Sequence, residues 1–267
     1  MSAPDPTRTS GAPLLVVIDP AAREADGESV RIARDVLCAG APGAKVCLPQ
    51  SAADAARALS RGGTRRPVVV GDDGALLRAV QLLHQERSLG ASALSVVPVG
   101  ASPRVELARR LGIPADAVAA ARAALRGTER QLDLLVDDCG GVVLGDLRLA
   151  CEGGGTESPW RRVRRPLTVA RRTGRQPRIR MRVEADGEVL ADWERPARQV
   201  SVVTREDGAG FAEVAVEGAR PVRVRARQIT VAGPEFRYRS GGEGRGPVRG
   251  TRTWTVAPGA LRVMVPR

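Results

Sequence analysis

A glycine-rich turn with two adjacent carboxylates is the first place in this sequence where chemistry could occur. Gly71, Asp72, Asp73 and Gly74 stand between a run of valines and a helical pattern. Glycines let the backbone bend into a nest of N–H groups, and the N-terminus of the following helix favours an anion such as phosphate. A carboxylate beside phosphate is unfavourable unless Mg²⁺ bridges the two or the side chain points away. The turn predicts either a phosphate site with a metal ion or an ordinary capped turn.

A second turn follows the next predicted strand, in the segment PVGASPRVELARRLGIP at 98–114. Ligands of open α/β sheets bind at the carboxyl ends of strands, so both turns lie where a ligand is expected. Arg78 and Arg104 stand close to the two turns in sequence. A fixed arginine can hold phosphate, and we expect these side chains to replace a metal ion only in part.

The elements that must position these turns alternate between strand and helix in the first half of the chain. Strands are predicted at 14–18, 46–48, 68–70, 94–97 and 132–136. Helices are predicted at 28–39, 52–60, 76–85 and 116–127, with Ser51 as the cap of the second and Pro114 ending the pattern after the second turn. This alternation predicts a doubly wound, mostly parallel sheet with helices on both faces.

The second half changes to short runs of period two. Asp186 and Gly187 separate two such runs and predict a β-hairpin. The predicted fold class is therefore α/β, with a doubly wound mostly parallel sheet domain followed by an antiparallel β-sandwich-like domain. We expect a disordered N-terminus at 1–12, a nucleotide-binding domain at 13–150 and a β-rich domain at 151–267. Whether the last strand returns to the first domain stays open.

Charge and cysteine content exclude several classes of protein. Residues 1–150 carry 18 basic and 17 acidic side chains, whereas 151–267 carry 24 and 13, so the net charge of +12 lies almost wholly in the second half. No apolar run is long enough to span a bilayer, and we expect a soluble, cytoplasmic protein. The four cysteines show no CxxC spacing and predict buried, reduced thiols rather than a zinc site. The only histidine, His84, lies in a helical pattern and is interpreted as a surface residue.

The order of these motifs resembles the diacylglycerol kinase family of lipid kinases, whose catalytic domain shares its broad fold group with the NAD kinases. GDDGA at 71–75 stands in the place of the family's Gly-Gly-Asp-Gly-Thr turn, and 98–114 is similar to its second signature. Asp19-Pro20 resembles the family's opening Asn-Pro. LRGTERQLDLLV resembles the segment that leads into the family's β-domain, and GGE followed by APGALRVMVP resembles its closing segment.

The resemblance implies ATP-dependent phosphorylation of a hydroxyl of diacylglycerol or a related lipid. By resemblance, Asp73 would orient Mg²⁺–ATP as catalytic residue and metal ligand, and Glu243 would accept the proton of the hydroxyl. The nucleotide-contacting positions implied by the same motifs are Gly71, Asp72, Gly74, Ala75, Gly100, Ala101 and Ser102. ATP and Mg²⁺ are therefore the expected cofactors.

Several residues depart from the family pattern. Asp72 replaces a glycine, Ala75 and Ala101 replace threonines, and Arg78 stands where the family usually has an acidic residue. Pro103-Arg104 falls near the family's Asn-Asp pair. Loss of a carboxylate that organises the metal could raise the reaction barrier by several kcal/mol. Two alternatives therefore stay open beside a working lipid kinase: a catalytically degenerate regulator of the same fold that binds nucleotide or lipid, and a nucleic-acid-binding protein.

The expected partners follow from charge. Ten arginines lie between 161 and 182, and we interpret them first as a solvated face, then as a contact to an anionic membrane surface, which would place the protein at the periphery of the membrane. Nucleic acid is the third interpretation, and no specific nucleic acid is expected because only Trp160 accompanies the run for stacking. A nucleotide and a lipid substrate are the expected small partners, and a homodimer stays open.

Overall fold

This computed structural model describes residues 13–150, 181–204, 209–241 and 243–267. The predicted disordered N-terminus at 1–12 lies outside the described residues, as does the arginine run at 161–182 apart from its last two residues. Within the described residues, none of the helices has the length and apolar character that a membrane crossing requires.

Four parallel strands form the first sheet. Three of them consist largely of Val, Leu and Ile and are almost wholly buried, whereas the strand Lys45–Cys47 at the edge is partly exposed. Their order in the sheet is β2-β1-β3-β4. The strands are β1 Leu14–Ile18, β2 Lys45–Cys47, β3 Arg66–Gly71 and β4 Ser95–Pro98. Hydrogen bonding between β1 and β3 pairs Ile18 with Val70, so the two strands end side by side.

Helices follow the strands, as the alternation predicted. They are α1 Pro20–Ala25, α2 Gly27–Gly40, α3 Ala52–Ser60, α4 Asp73–Gln85, α5 Glu106–Arg110 and α6 Ala117–Arg126, with a short 3-10 helix at Ser102–Arg104. The cap predicted at Ser51 is confirmed, since its side chain accepts a hydrogen bond from the Asp54 N–H. Helix α1 was not predicted, although Asp19 before Pro20 is a good start signal: the aspartate caps the helix and the proline fits its first turn.

The remaining strands form an antiparallel sheet, which confirms the predicted fold class. They are β5 Thr128–Asp137, β6 Val142–Val143, β7 Asp146–Ala150, β8 Arg182–Ala185, β9 Glu188–Ala191, β10 Gln199–Thr204, β11 Ala212–Glu217, β12 Val222–Ala226, β13 Gln228–Ser240 and β14 Glu243–Val265. The predicted hairpin is confirmed: β8 and β9 pair around Asp186 and Gly187, which both have positive φ as the tight turn requires.

The long strand β14 joins the two sheets. It pairs with β13 along its first part and with β5 along its second part. Near its end Val263 forms a bridge to Leu94, directly before β4, and Leu261 and Val263 belong to the core of the parallel-sheet half. The antiparallel strands begin at Thr128, before the domain boundary expected near 150, which stays a prediction.

The thiols differ from the expectation of burial. Cys139 is exposed, and Cys38 and Cys47 are only partly buried. Cys139 lies in the tight turn between β5 and β6, where the chain reverses at the surface. A cysteine in such a turn has no core to enter, which the spacing of the cysteines could not reveal.

Candidate functional site

The turn between β3 and α4 is closely packed around Gly71. A Cβ atom at this position would lie 2.7 Å from the Cβ atom of Ala75 and 3.0 Å from that of Asp19. Only glycine fits without a shift of these neighbours. The turn therefore brings the end of β3 against the residue that follows β1.

Asp72, which replaces the family's glycine, is the N-cap of α4. Its Oδ1 accepts a hydrogen bond from the Ala75 N–H at 3.0 Å, and its Oδ2 lies 2.7 Å from a guanidinium nitrogen of Arg104. The Asp72 carboxylate therefore lies against the N-terminus of α4, where the helix dipole favours a negative charge, and Arg104 balances that charge.

The side chain of Asp73 does not cap α4 but accepts hydrogen bonds from the start of α5. Its Oδ2 accepts the Leu107 N–H at 2.7 Å, and its Oδ1 accepts the Ala108 N–H at 3.0 Å. These are donors of the first turn of α5 that have no partner inside that helix. Burial raises the pKa of the Asp73 carboxyl, while the two backbone donors act in the opposite direction. The contacts give Asp73 a structural role, and its metal and catalytic roles stay predictions.

The second turn packs against the first. Gly100 has a φ of +150°, and a Cβ atom there would lie 3.5 Å from the Cβ atom of Asp72. Ala101 precedes the 3-10 helix that begins at Ser102 and ends at Arg104. The two turns that the sequence placed at strand ends are therefore neighbours, and Arg104 reaches across to Asp72.

A third carboxylate follows β1. The Oδ1 of Asp19 accepts the Ala21 N–H at 2.9 Å, and its Oδ2 accepts a hydrogen bond from the Arg78 guanidinium at 2.8 Å. Asp19 is buried, whereas the side chain of Arg78 is 51% exposed. Arg78 thus carries a charge opposite to the family's usual residue and pairs with a carboxylate at the family's asparagine position.

The carboxylates of Asp19, Asp72 and Asp73 do not fit a divalent cation. All six of their oxygens accept a hydrogen bond or ion pair, four from backbone N–H groups and two from arginines. Mg²⁺ requires near-ideal octahedral geometry with oxygen ligands and would have to share these oxygens with two guanidinium groups. The predicted Mg²⁺ site therefore lacks a suitable set of ligands among these three residues.

A cavity of about 280 Å³ opens beside the first turn, between α3 and α4. Asp19 and Arg78 lie on it, together with Arg245 from β14 of the antiparallel sheet. Its other lining residues are mostly apolar: Val17, Ala52, Ala55, Ala56, Leu59, Val69, Ala75, Leu77, Ala79, Gln81, Leu82 and Gln85. The cavity therefore has an apolar interior and charged groups contributed by both halves of the chain.

The predicted base Glu243 can be placed only by its backbone. It is the first residue of β14 and pairs with Ser240, and its side chain lies outside the described part. The adjoining Gly241 has positive φ and touches α4, since a Cβ atom there would lie 2.7 Å from the Cδ1 atom of Leu77. The glycine-rich loop thus approaches the helix that carries Asp73, while the role of Glu243 stays a prediction.

Two acidic residues on β5, Asp133 and Asp137, hold parts of the backbone in place. The buried Asp133 accepts the Gly210 N–H at 2.9 Å and the Gly259 N–H at 2.8 Å, which fixes an irregularity of β14. Asp137 accepts the Cys139 and Gly141 N–H groups and pairs with Arg252 at 3.1 Å. Asp137, Asp138 and Cys139 have ligand atoms within 4.8 Å of one another, and Arg252 forms an ion pair with both carboxylates.

The first half of the chain matches a known family. Residues 13–136 match the family model of the diacylglycerol kinase catalytic domain. This part of the chain is similar to the diacylglycerol kinase catalytic domain. The resemblance inferred from the ordered motifs is confirmed, and the chain is lipid kinase-like. A search of the curated proteins found no match.

Solved structures extend this likeness to nearly the whole chain. A diacylglycerol kinase from Bacillus anthracis str. Sterne is 15% identical, with a TM-score of 0.75 over 97% of this chain and 98% of that chain. An NAD kinase from Archaeoglobus fulgidus in complex with ATP is 12% identical, with a TM-score of 0.51 over 94% and 92% of the two chains. At these identities the likeness shows a shared fold.

Within this diacylglycerol kinase fold, the sequence predicted where the two turns lie, but not which carboxylate each arginine binds. It gave Arg78 and Arg104 as partial substitutes for a cation, and the structure shows that each binds one carboxylate. It did not find that Asp19 belongs to the site. The signal was present, because Asp19 follows the strand next to β3, and neighbouring parallel strands end at the same edge of a sheet.

Proposed function

We propose that the protein is a catalytically degenerate, lipid-kinase-like regulator that binds a nucleotide without metal-dependent phosphoryl transfer. The observation that carries this proposal is that every carboxylate oxygen of Asp19, Asp72 and Asp73 already has a hydrogen-bond or ion-pair partner. Phosphoryl transfer depends on positioning and on neutralisation of the developing charge, which kinases achieve with metal ions held by carboxylates. Here arginines pair with the carboxylates of Asp19 and Asp72, and backbone N–H groups of α5 bind both oxygens of Asp73.

Arginines support nucleotide binding in place of a metal. Arg78 and Arg245 approach one cavity from the two halves of the chain, beside the turn at Gly71. A guanidinium binds phosphate through several N–H donors and stays charged at any physiological pH. Of the relatives by fold, one NAD kinase was solved with ATP and a yeast NADH kinase with NADH. By the family motif, Gly74, Ala101 and Ser102 would contribute further backbone contacts.

The experiment that tests this proposal measures ADP formation by the full-length protein. The reaction contains ATP, Mg²⁺ and vesicles with diacylglycerol and related lipids. We expect the same background rate for the wild type, for Asp73→Asn and for Glu243→Gln, with ATP binding detected separately by calorimetry. A wild-type rate clearly above both variants would overturn the proposal.

The second candidate function is ATP-dependent phosphorylation of a lipid hydroxyl at the cytoplasmic face of a membrane. The match of residues 13–136 to the diacylglycerol kinase catalytic domain favours it. In this candidate Asp73 would have to leave its contacts with α5 to orient Mg²⁺–ATP, and Glu243 would accept the hydroxyl proton. It predicts a lipid-dependent rate that falls in both variants of the same assay, together with radiolabelled phosphate in the extracted lipid.

A further inference from the structure

Basic residues collect at the edge of the parallel sheet that lies opposite the candidate site. The two glycine turns follow strand ends, whereas the helices end and the next strands begin at the other edge. Five exposed basic residues stand there, and we call their surface the amino-edge patch: Lys45 begins β2, Arg61 follows α3, Arg65 precedes β3, Arg87 follows α4 and Arg126 ends α6.

Contacts between neighbouring helix ends hold the amino-edge patch together. The Ser60 hydroxyl donates a hydrogen bond to the Glu86 carboxylate, which joins the ends of α3 and α4 and so places Arg61 and Arg87 on adjacent loops. Gly40 at the end of α2 touches Leu125 of α6, one residue before Arg126. Strands β2 and β3 lie on either side of β1, so their starts are about 10 Å apart.

The charge at this edge is strongly one-sided. The segments that join a helix end to the next strand, 41–45, 61–66, 86–95 and 126–129, contain two acidic residues, Glu86 and Glu129. Glu129 is paired with Arg262 at 3.1 Å, and neither is counted in the patch. Within the ranges that the structure describes, none of the five patch residues forms an ion pair. The patch is therefore positive, although residues 1–150 carry 18 basic and 17 acidic side chains.

Helix stability accounts for part of the amino-edge patch. Arg61, Arg87 and Arg126 stand at helix C-termini, where the helix dipole favours a positive charge. Lys45 and Arg65 stand at the start of strands, and a sheet has only a small dipole. The helix dipole therefore explains three of the five charges, and the other two point to an anionic partner.

The form of the amino-edge patch favours a flat array of phosphates over a nucleic acid. Residues 1–150 contain none of the six aromatic side chains of the sequence, so base stacking is not available. The charges stand at the ends of buried elements and not on a projecting helix or β-ribbon, which are the elements that enter a major groove. A broad end of a sheet instead matches the surface of an anionic bilayer, which attracts clustered basic residues.

We propose that the amino-edge patch docks on an anionic bilayer surface. In this orientation the turns at Gly71 and Gly100 face away from the lipid, and a nucleotide reaches the candidate site from the solvent. The inference goes beyond the nucleotide-binding role and does not depend on it. It disfavours the lipid kinase candidate, because a kinase would have to turn its strand ends towards the bilayer.

The test is cosedimentation of the full-length protein with vesicles. Phosphatidylcholine vesicles that carry about 30% phosphatidylglycerol are compared with vesicles of phosphatidylcholine alone. We expect binding to the anionic vesicles only. A rise from about 0.05 M to about 0.3 M NaCl should release most of the bound protein, because screening shortens the reach of the charges.

Two double variants with the same change in net charge locate the contact. Arg65→Gln/Arg87→Gln removes two charges from the amino-edge patch, and Arg220→Gln/Arg225→Gln removes two exposed arginines from the antiparallel half. We expect the patch variant to bind anionic vesicles about twentyfold more weakly, since each basic residue contributes about fivefold. The control should stay within about twofold of the wild type. Either single patch variant, with an expected loss of about fivefold, keeps the test valid if the double variant does not fold.

Four results would overturn the proposal. The first is equal binding to neutral and anionic vesicles, and the second is an equal loss in the two double variants. The third is tighter binding of a double-stranded DNA that the patch variant loses, which would make the surface a nucleic-acid contact. The fourth is a loss of ATP affinity when anionic vesicles are added, which would place the strand ends at the bilayer.

Failure of this inference is distinguishable from failure of the proposed function. Absence of binding to anionic vesicles, together with ATP binding and no ADP formation, contradicts the inference alone. ADP formation by a protein that docks through the amino-edge patch contradicts only the proposed function.

Discussion

The β3–α4 turn and the α3–α4 cavity lie side by side. They differ in how completely their side chains are hydrogen-bonded or buried. In the turn, every oxygen of three carboxylates has a donor. In the cavity, the residues contributed by α3 are only partly buried or exposed. The same helix α4 borders both regions. The difference indicates that the turn stabilises the fold, while the cavity can receive a ligand without loss of existing contacts.

The largest effect is expected from Asp73→Ala. The change leaves two buried N–H groups of α5 without an acceptor, and hydrogen bonds to a charged group are the stronger kind. We expect the free energy of unfolding, measured with urea, to fall by about 3 kcal/mol or more. Asp116→Ala removes the exposed cap of α6 and serves as control, with an expected loss of about 1 kcal/mol. Equal losses in the two variants would show that the turn is not a special source of stability.

Enlargement of one alanine in each region compares their packing directly. Ala108 lies buried beside Asp73, so Ala108→Leu should overpack the site and cost about 1–3 kcal/mol. Ala55→Leu places the same atoms in the cavity and should leave the free energy of unfolding unchanged or slightly higher. Thermal and urea unfolding of the two variants measure this difference. Similar destabilisation by both would mean that the cavity is closed in solution.

A smaller effect is expected from the ion pair of Asp72 with Arg104. Arg104 is 67% exposed, so solvent weakens the attraction, but Asp72 is nearly buried and keeps its cap role. Arg104→Gln should lower the free energy of unfolding by about 1 kcal/mol. A double-mutant cycle with Asp72→Asn measures the coupling energy. A coupling energy indistinguishable from zero would show that the ion pair of Arg104 with Asp72 does not stabilise the turn.

The smallest effect is a dependence on pH. Burial raises the pKa of Asp73, so just above the usual aspartate value of about 3.9 the folded state keeps a proton that the unfolded chain has released. The free energy of unfolding should therefore fall as pH rises through this window. Asp73→Asn cannot titrate and should lack this contribution. Urea unfolding of both proteins across the window measures it, and parallel pH profiles would contradict the expected direction.

Much of the fold could be predicted from the sequence, because each element has a local signal. The valine run before Gly71, the cap at Ser51 and the turn at Asp186-Gly187 each depend on neighbouring residues only. Strand β14 shows what local signals miss. Its 23 residues contain several glycines and prolines, and its continuity depends on pairing with both β13 and β5.

The candidate site could be predicted only as a location. The glycine turns placed the site at the strand ends, since this follows from the fold class. The partner of each carboxylate could not be predicted, because Asp73 binds residues 34 and 35 positions later and Asp19 binds Arg78 59 positions later. Such contacts depend on how α4 and α5 pack, and the family motif instead favoured a metal for Asp73.

The central claim is that the carboxylates of the turn serve the structure and not a metal ion. Its most direct test is the affinity of the full-length protein for ATP, measured by calorimetry with Mg²⁺ and again with EDTA. We expect the two affinities to agree within about twofold, in the wild type and in Asp73→Asn alike, because arginines rather than a metal hold the phosphates. An affinity that rises by about tenfold with Mg²⁺ in the wild type, and not in Asp73→Asn, would contradict the account.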